Sequence, residues 1–184
     1  MHNKLIQRIC LIGFVFLFIG LLPGCSIVDT ESESEKIIAK SNEIMRCFIE
    51  RDQESFNHLF CERVKNSEGF QEQSDAVFSL FECDTYVGAQ INTTASGGKA
   101  WGDGGVIEWD VAPYINWIKT LVEEDSPMGQ ERYYEIIYFW QIVDKENPEE
   151  EGLHYLTLTL LNHSEVTVGQ IGSVNSETNE QEKV

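Results

Sequence analysis

Several groupings of reactive side chains could do chemistry in this chain. His58 and Cys61 are three apart in a stretch of helical period, which puts them on one face and within reach of one metal ion. Against zinc, the chain has no C-x-x-C pair, and cysteines on apolar helix faces are usually small buried hydrophobes, so no metal is expected. Glu108 and Asp110 are two apart in a strand-like stretch and share a face, the arrangement for paired acid and base work on a sugar. With 31 acidic residues in the chain, chance supplies such pairs too. His154 and Glu135 each interrupt an apolar strand, where low polarity can tune a titratable group for catalysis. The plainer alternatives are a histidine at the sheet margin and a solvated glutamate near a strand start. His58 lies beside an apolar stripe and reads as a boundary residue.

Nucleotide motifs fail on inspection. Ala100 follows Gly98-Lys99 where a phosphate loop needs Ser or Thr, and Thr93 stands where its first glycine belongs. Gly102-Asp103-Gly104-Gly105 leads to Ile107 where a dinucleotide fingerprint needs glycine. The stretch from Gly97 to Gly105 therefore reads as a hairpin loop. The acidic "DKENPEEEG" has Pro148 where a calcium loop needs a ligand. There is no G-x-S-x-G, and no cysteine has a convincing histidine and acid beside it. The Asn92-Thr93-Thr94 and Asn162-His163-Ser164 sequons read as chance matches. No catalytic set and no cofactor are expected.

Aromatic residues are the remaining resource. Trp101, Trp109, Trp117 and Trp140, with Tyr114, Tyr134 and Tyr138, concentrate in the second half of the chain. Their broad apolar faces and single polar handles suit a pocket, a glycan platform or a protein interface, although core packing explains most of them. Trp117, Tyr138, Trp140 and His154 are the candidate ligand-binding residues, on the expectation that they line a concave sheet face.

The elements that must position these groups follow from periodicity. Ile37, Ile38, Ile44, Met45 and Phe48 recur at helical steps over residues 33–51. Asp52 can cap a second helix with Phe56, Leu59, Phe60 and Val64 as its stripe, and Ser74 or Asp75 a third around Val77, Phe78, Leu80 and Phe81. "TYVGAQI" reads as a strand, and Pro113 in "VIEWDVAPYINWIKTLV" marks a bend or an edge. "RYYEIIYFWQIV" is apolar on both faces and reads as a central strand; "GLHYLTLTLLN" is a further strand, and "EVTVGQI" extends or pairs at the edge. The expected class is α+β, three N-terminal helices packed on a curved antiparallel sheet with a pocket at its open end.

The first residues carry a different message. Lys4 and Arg8 precede an uncharged apolar run from Ile9 to Leu22, the pattern of a secretory leader, and Leu22-Pro23-Gly24-Cys25 resembles the bacterial lipobox. It implies removal of residues 1–24 and a diacylglyceryl anchor on Cys25, two chains being what stable mooring requires. The alternative, an uncleaved membrane span, exports the rest of the chain equally. Residues 25–34 read as an acidic linker, 35–172 as one domain and 173–184 as a disordered tail. Losing the leader, which holds two basic and no acidic residues, moves the formal charge from −18 to −20. Such a surface repels nucleic acid and anionic lipid, so nucleic-acid binding is excluded. Cys47, Cys61 and Cys83 leave disulfide pairing open.

The layout looks like the nuclear transport factor 2-like cone. The lipobox, "KIIAKSNEIMRCFIERDQESFNHLFC", "DAVFSLFE" and "YINWIK" before a long aromatic strand are similar to an uncharacterised family of Gram-positive cell-surface lipoproteins. That resemblance implies location and fold, and brings no substrate or catalytic set. The expected function is a membrane-anchored extracytoplasmic domain that binds a small molecule or a cell-envelope protein without catalysis. A pocket enzyme of the isomerase or dehydratase type, or an immunity or inhibitory protein, is the alternative.

Overall fold

In the computed structural model, residues 32–102, 104–123, 130–161 and 164–169 are described. The leader, the Cys25 anchor, most of the acidic linker, the 162–164 sequon's first two residues and the tail lie outside them. The chain divides into two units, Met1–Ser32 and Glu33–Val184, and all the elements below lie in the second.

Helix α1 (Glu33–Glu50) buries Ile37, Ser41, Ile44, Met45, Cys47 and Phe48. Ile38, expected in the stripe, is 40% exposed, and Ser41 takes an inward place instead. The helix stops at Arg51, which adopts a left-handed φ of 58°. The amides of Arg51 and Asp52 bond to the carbonyls of Phe48 and Cys47, satisfying the last-turn acceptors. Asp52 caps α2 (Gln53–His58), as its type and place predict, accepting from the Ser55 amide at 3.0 Å. Hydrogen bonds from Ser55, then Arg46, pull its carboxyl down to about 2.

The second helix does not run on to Val64 as its stripe implied. At Phe60 and Cys61 the backbone leaves the helix to meet a strand: Leu153 N–H donates to Leu59 O at 2.8 Å, and Cys61 N–H to Leu153 O at 3.0 Å. Gly152, at φ 131°, makes the approach feasible, for a Cβ there would sit 2.7 Å from Cys61 N. The helix resumes as α3 (Glu62–Lys65). Helix α4 (Phe70–Leu80) starts behind Gly69, earlier than Ser74 or Asp75 would have begun it. Those two residues tie helices together: Ser74 Oγ donates to Asn57 at 2.6 Å, and Gln53 donates to Asp75 at 2.6 Å. The described helices thus number four where three were expected, besides a short 3-10 turn at Pro148–Glu150.

The five strands form one antiparallel meander in the order β1-β2-β3-β4-β5, namely Thr85–Gly102, Gly105–Val122, Gln130–Asp144, Gly152–Leu160 and Ser164–Val168. Most of the glycine-rich stretch belongs to β1 and not to a loop, and the hairpin turn narrows to the connection at Gly104 between the paired Gly102 and Gly105. Gly97 passes so close to the Asp110 carbonyl that a Cβ would lie 2.1 Å from it, so the glycines admit a neighbouring backbone. Pro113 lies in the interior strand β2, opposite the irregularity in β1 between Asn92 and Ser96. Strand β3 is central, as its two apolar faces implied, and β1 and β5 are the edges.

Inward residues of the sheet, including Ile115, Ile118, Tyr134, Ile136, Tyr138, Leu156 and Leu158, join most of the helices' inward side chains in the main core, and Ile37, Trp109 and Val111 form a smaller cluster. Phe48 is its hub, with the rings of Phe56, Phe78 and Phe81 at 5.0–5.1 Å. Cys47, Cys61 and Cys83 are free thiols. Burial pushes all three above the ordinary thiol value, which suits packing more than reactivity. Among the described residues no helix is long and apolar enough to cross a membrane.

Candidate functional site

The helices cover one face of the sheet. On the other, the odd spacing of Ile115 and Ile118 forces a local departure from the pleat. Both are buried, which simple alternation forbids for residues three apart. The chain resolves this with a bulge: Ile115 pairs Ile136 and Ile118 pairs Tyr134, so Asn116 and Trp117 together oppose Glu135. Trp117 adopts φ 51°, the left-handed region that a bulky aromatic rarely enters. Its side chain is 63% exposed. A strained backbone that drives an indole into solvent is the kind of local cost found where side chains recognise something.

Two adjoining hollows share Trp117 and Leu161. One, of about 270 Å³, is lined by Asn116, Trp117, Glu135 and Leu161. The other, of about 330 Å³, adds Gln130, Glu131, Arg132, Tyr133 and Leu160. The Leu161 amide bonds to the Tyr133 carbonyl at 2.9 Å, which holds this end of β4 beside β3. The charges on the rim are mostly spoken for. Lys119 Nζ lies 2.5 Å from Glu131, to which Tyr133 also donates at 2.7 Å. Lys119 accordingly depresses the Glu131 carboxyl and is itself raised. Arg132 pairs Glu82 at 3.1 Å. Glu135 has no ion pair or hydrogen bond with any of the described residues. Along the same face, Ile137 is 42% exposed and Phe139 stacks on Tyr155 at 6.0 Å.

The candidate residues read from the sequence do not meet in one pocket. Tyr138 is fully buried and shares a 2.8 Å hydrogen bond with Ser41, so its polar handle serves the core; burial raises its hydroxyl well above the ordinary value. Trp140 is half-buried on the helix side, with Lys40 Nζ 5.2 Å from its ring centroid. It joins His58 on the wall of an open cleft of about 580 Å³. Cations on that wall are paired: Lys40 with Glu43 at 2.7 Å, Arg46 with Glu50 at 2.7 Å and Lys65 with Glu62 at 2.6 Å. Trp117 stands on the open face, and the His154 ring meets that face edge-on to Phe139 at 5.4 Å.

His154 occupies a bulge position of β4, between residues paired to Trp140 and Phe139. Its Nε2 donates to the Glu150 carbonyl at 2.8 Å, and Arg63 Nη2 approaches Nδ1 at 3.3 Å. Arg63 also grips the Glu150 carboxylate through Nε at 2.6 and 2.8 Å, which lowers that carboxyl. Cys61, Glu150 and His154 lie close enough to surround one ion. The chemistry disfavours it, since a metal would have to displace the guanidinium from Glu150 and break the Nε2–H bond, and the Cys61 thiol is held protonated by burial. His58 stays outside this cluster, so the i, i+3 pairing read from the sequence does not form. Glu108 and Asp110 share the face away from the core, with Glu108 exposed and Asp110 half-buried.

No protein-family model matches the chain, and no curated protein matches it.

Proposed function

We propose that this chain is a lipid-anchored extracytoplasmic protein whose domain holds another cell-envelope protein on the open face of its sheet. The observation that carries the reading is Trp117, an exposed indole set on strained backbone by a bulge, on a face that keeps apolar side chains in solvent. A meander of five antiparallel strands with helices against one face is compatible with the nuclear transport factor 2-like cone. We assign the chain to that architecture and to the Gram-positive surface lipoproteins it resembles. In such a cone the helix-facing side would ordinarily offer the pocket. Here Tyr138 and the phenylalanine cluster occupy it, which moves recognition to the opposite face. The lipobox-like Leu22-Pro23-Gly24-Cys25 supports the anchor, and the acidic segment after it supports a spacer.

Photo-crosslinking in intact cells tests the assignment. A benzoylphenylalanine at Ile137, on the open face, should give a discrete protein adduct, whereas one at Ile38, exposed on α1, should not. Equal labelling from both positions, or none from 137, would refute the binding face. Acyl labelling that survives Cys25→Ser would refute the anchor.

A further inference from the structure

We infer that Trp117 and Glu135 form a receptor for one arginine side chain of a basic partner protein, an assignment that rests on the open face being a binding face. The molecule repeats a motif in which a cation lies between a carboxylate and an aromatic ring. Lys99 Nζ lies 3.8 Å from the Trp109 centroid and 3.0 Å from Glu33. Lys40 joins Trp140 to Glu43 in the same way, at 5.2 and 2.7 Å. Lys119 lies 5.6 Å from Tyr133 and 2.5 Å from Glu131. Trp117 and Glu135 repeat the aromatic and the carboxylate around one hollow, and no cation among the described residues enters it. Lys119 and Arg132, the basic residues of the neighbourhood, are committed to Glu131 and Glu82.

No described residue supplies that cation, and the receptor takes it from a partner. An exposed indole receives a guanidinium face-on, while a carboxylate beside it takes the N–H fork, and this combination favours arginine over the more strongly hydrated ammonium. Asn116, also in the hollow, can accept a further N–H through its amide oxygen. A formal charge of −18 over the chain draws basic partners toward this surface and repels acidic ones.

The test follows indole N–H signals by NMR in the full chain, held in uncharged maltoside micelles. Capped glycyl-arginyl-glycine is titrated in, against the same tripeptide with lysine or with neutral, isosteric citrulline. The Trp117 signal is the one missing from Trp117→Phe. It should shift saturably with arginine, more weakly with lysine and not with citrulline. Glu135→Gln should weaken arginine binding at least about tenfold, and Glu108→Gln, a control for net charge, should leave it within about twofold. Equal response to citrulline, full binding by Glu135→Gln, or equal shifts at Trp101 and Trp117 would overturn the receptor. Crosslinking from position 137 separates the two claims. Adducts that persist while arginine fails to bind overturn the receptor alone, whereas arginine binding without adducts supports the receptor chemistry and overturns the protein partner.

Discussion

On the helix-facing side of the sheet, Tyr138 spends its hydroxyl on Ser41, and Tyr134 accepts from the Glu82 amide at 2.9 Å. On the other side Trp117 is 63% exposed on left-handed backbone, and Glu135 faces a hollow with no described partner. Large aromatic residues supply both faces. What separates packing from recognition is whether each polar handle and ring face is already used within the chain, and whether the backbone bears strain to present it.

The sharpest way to break this contrast is to cut one aromatic from the covered face. Phe48→Ala removes the hub of the phenylalanine cluster and should cost about 3–5 kcal/mol in urea unfolding. A loss below about 1 kcal/mol would mean the covered face is loosely packed. Tyr138→Phe is a finer probe: it leaves the buried Ser41 hydroxyl without its partner and should cost about 1–2 kcal/mol. The same variant at Tyr133, on the open side, should cost less.

The pH dependence separates the two sides as well. Burial raises Tyr138 above the ordinary tyrosine value of 10.0, so its stabilising contribution is intact below that value and lost as pH climbs past it. Glu131 on the open side, and Asp52 at the α2 cap, are lowered by hydrogen bonds, so theirs is intact above the ordinary carboxyl range and lost as pH falls, for Asp52 between 3.8 and about 2. These carboxylates are solvent-exposed and their share is small. Thermal melts should fall more steeply on the alkaline limb, and Tyr138→Phe should flatten that limb without changing the acid one.

Much of the architecture is legible in the sequence. Helical steps marked Ile37 through Phe48, Asp52 announced its cap, and two apolar faces made β3 central. Three features were not legible, each for a non-local reason. The second helix breaks because Leu153, far along the chain, takes its backbone groups. Glycines normally depleted from strands sit in β1 because Gly97 lies against the Asp110 backbone. Ser74 and Asp75 looked like a helix start because caps and interhelix bonds use the same side chains.

The site was half visible. Trp117 is legible as a candidate pocket residue and Glu135 only as a candidate under the alternative of catalysis, but their meeting depends on the bulge. The odd spacing of Ile115 and Ile118 was the available signal, since an apolar pair three apart in a strand requires one extra residue. His154 is a candidate ligand-binding residue by its place in an apolar strand, but its ring faces Arg63, 91 positions earlier, a contact no local pattern reveals.

The claim that the open face is built for binding is tested most directly by urea unfolding of Trp117→Gly beside the wild type. Glycine accepts the left-handed backbone without the penalty an L side chain meets, about 1–2 kcal/mol, and the lost indole makes few buried contacts. Stability should be unchanged or raised by up to about 1 kcal/mol. A loss of about 3 kcal/mol, the scale expected for Phe48→Ala, would make Trp117 a packing residue and contradict the division between the two faces.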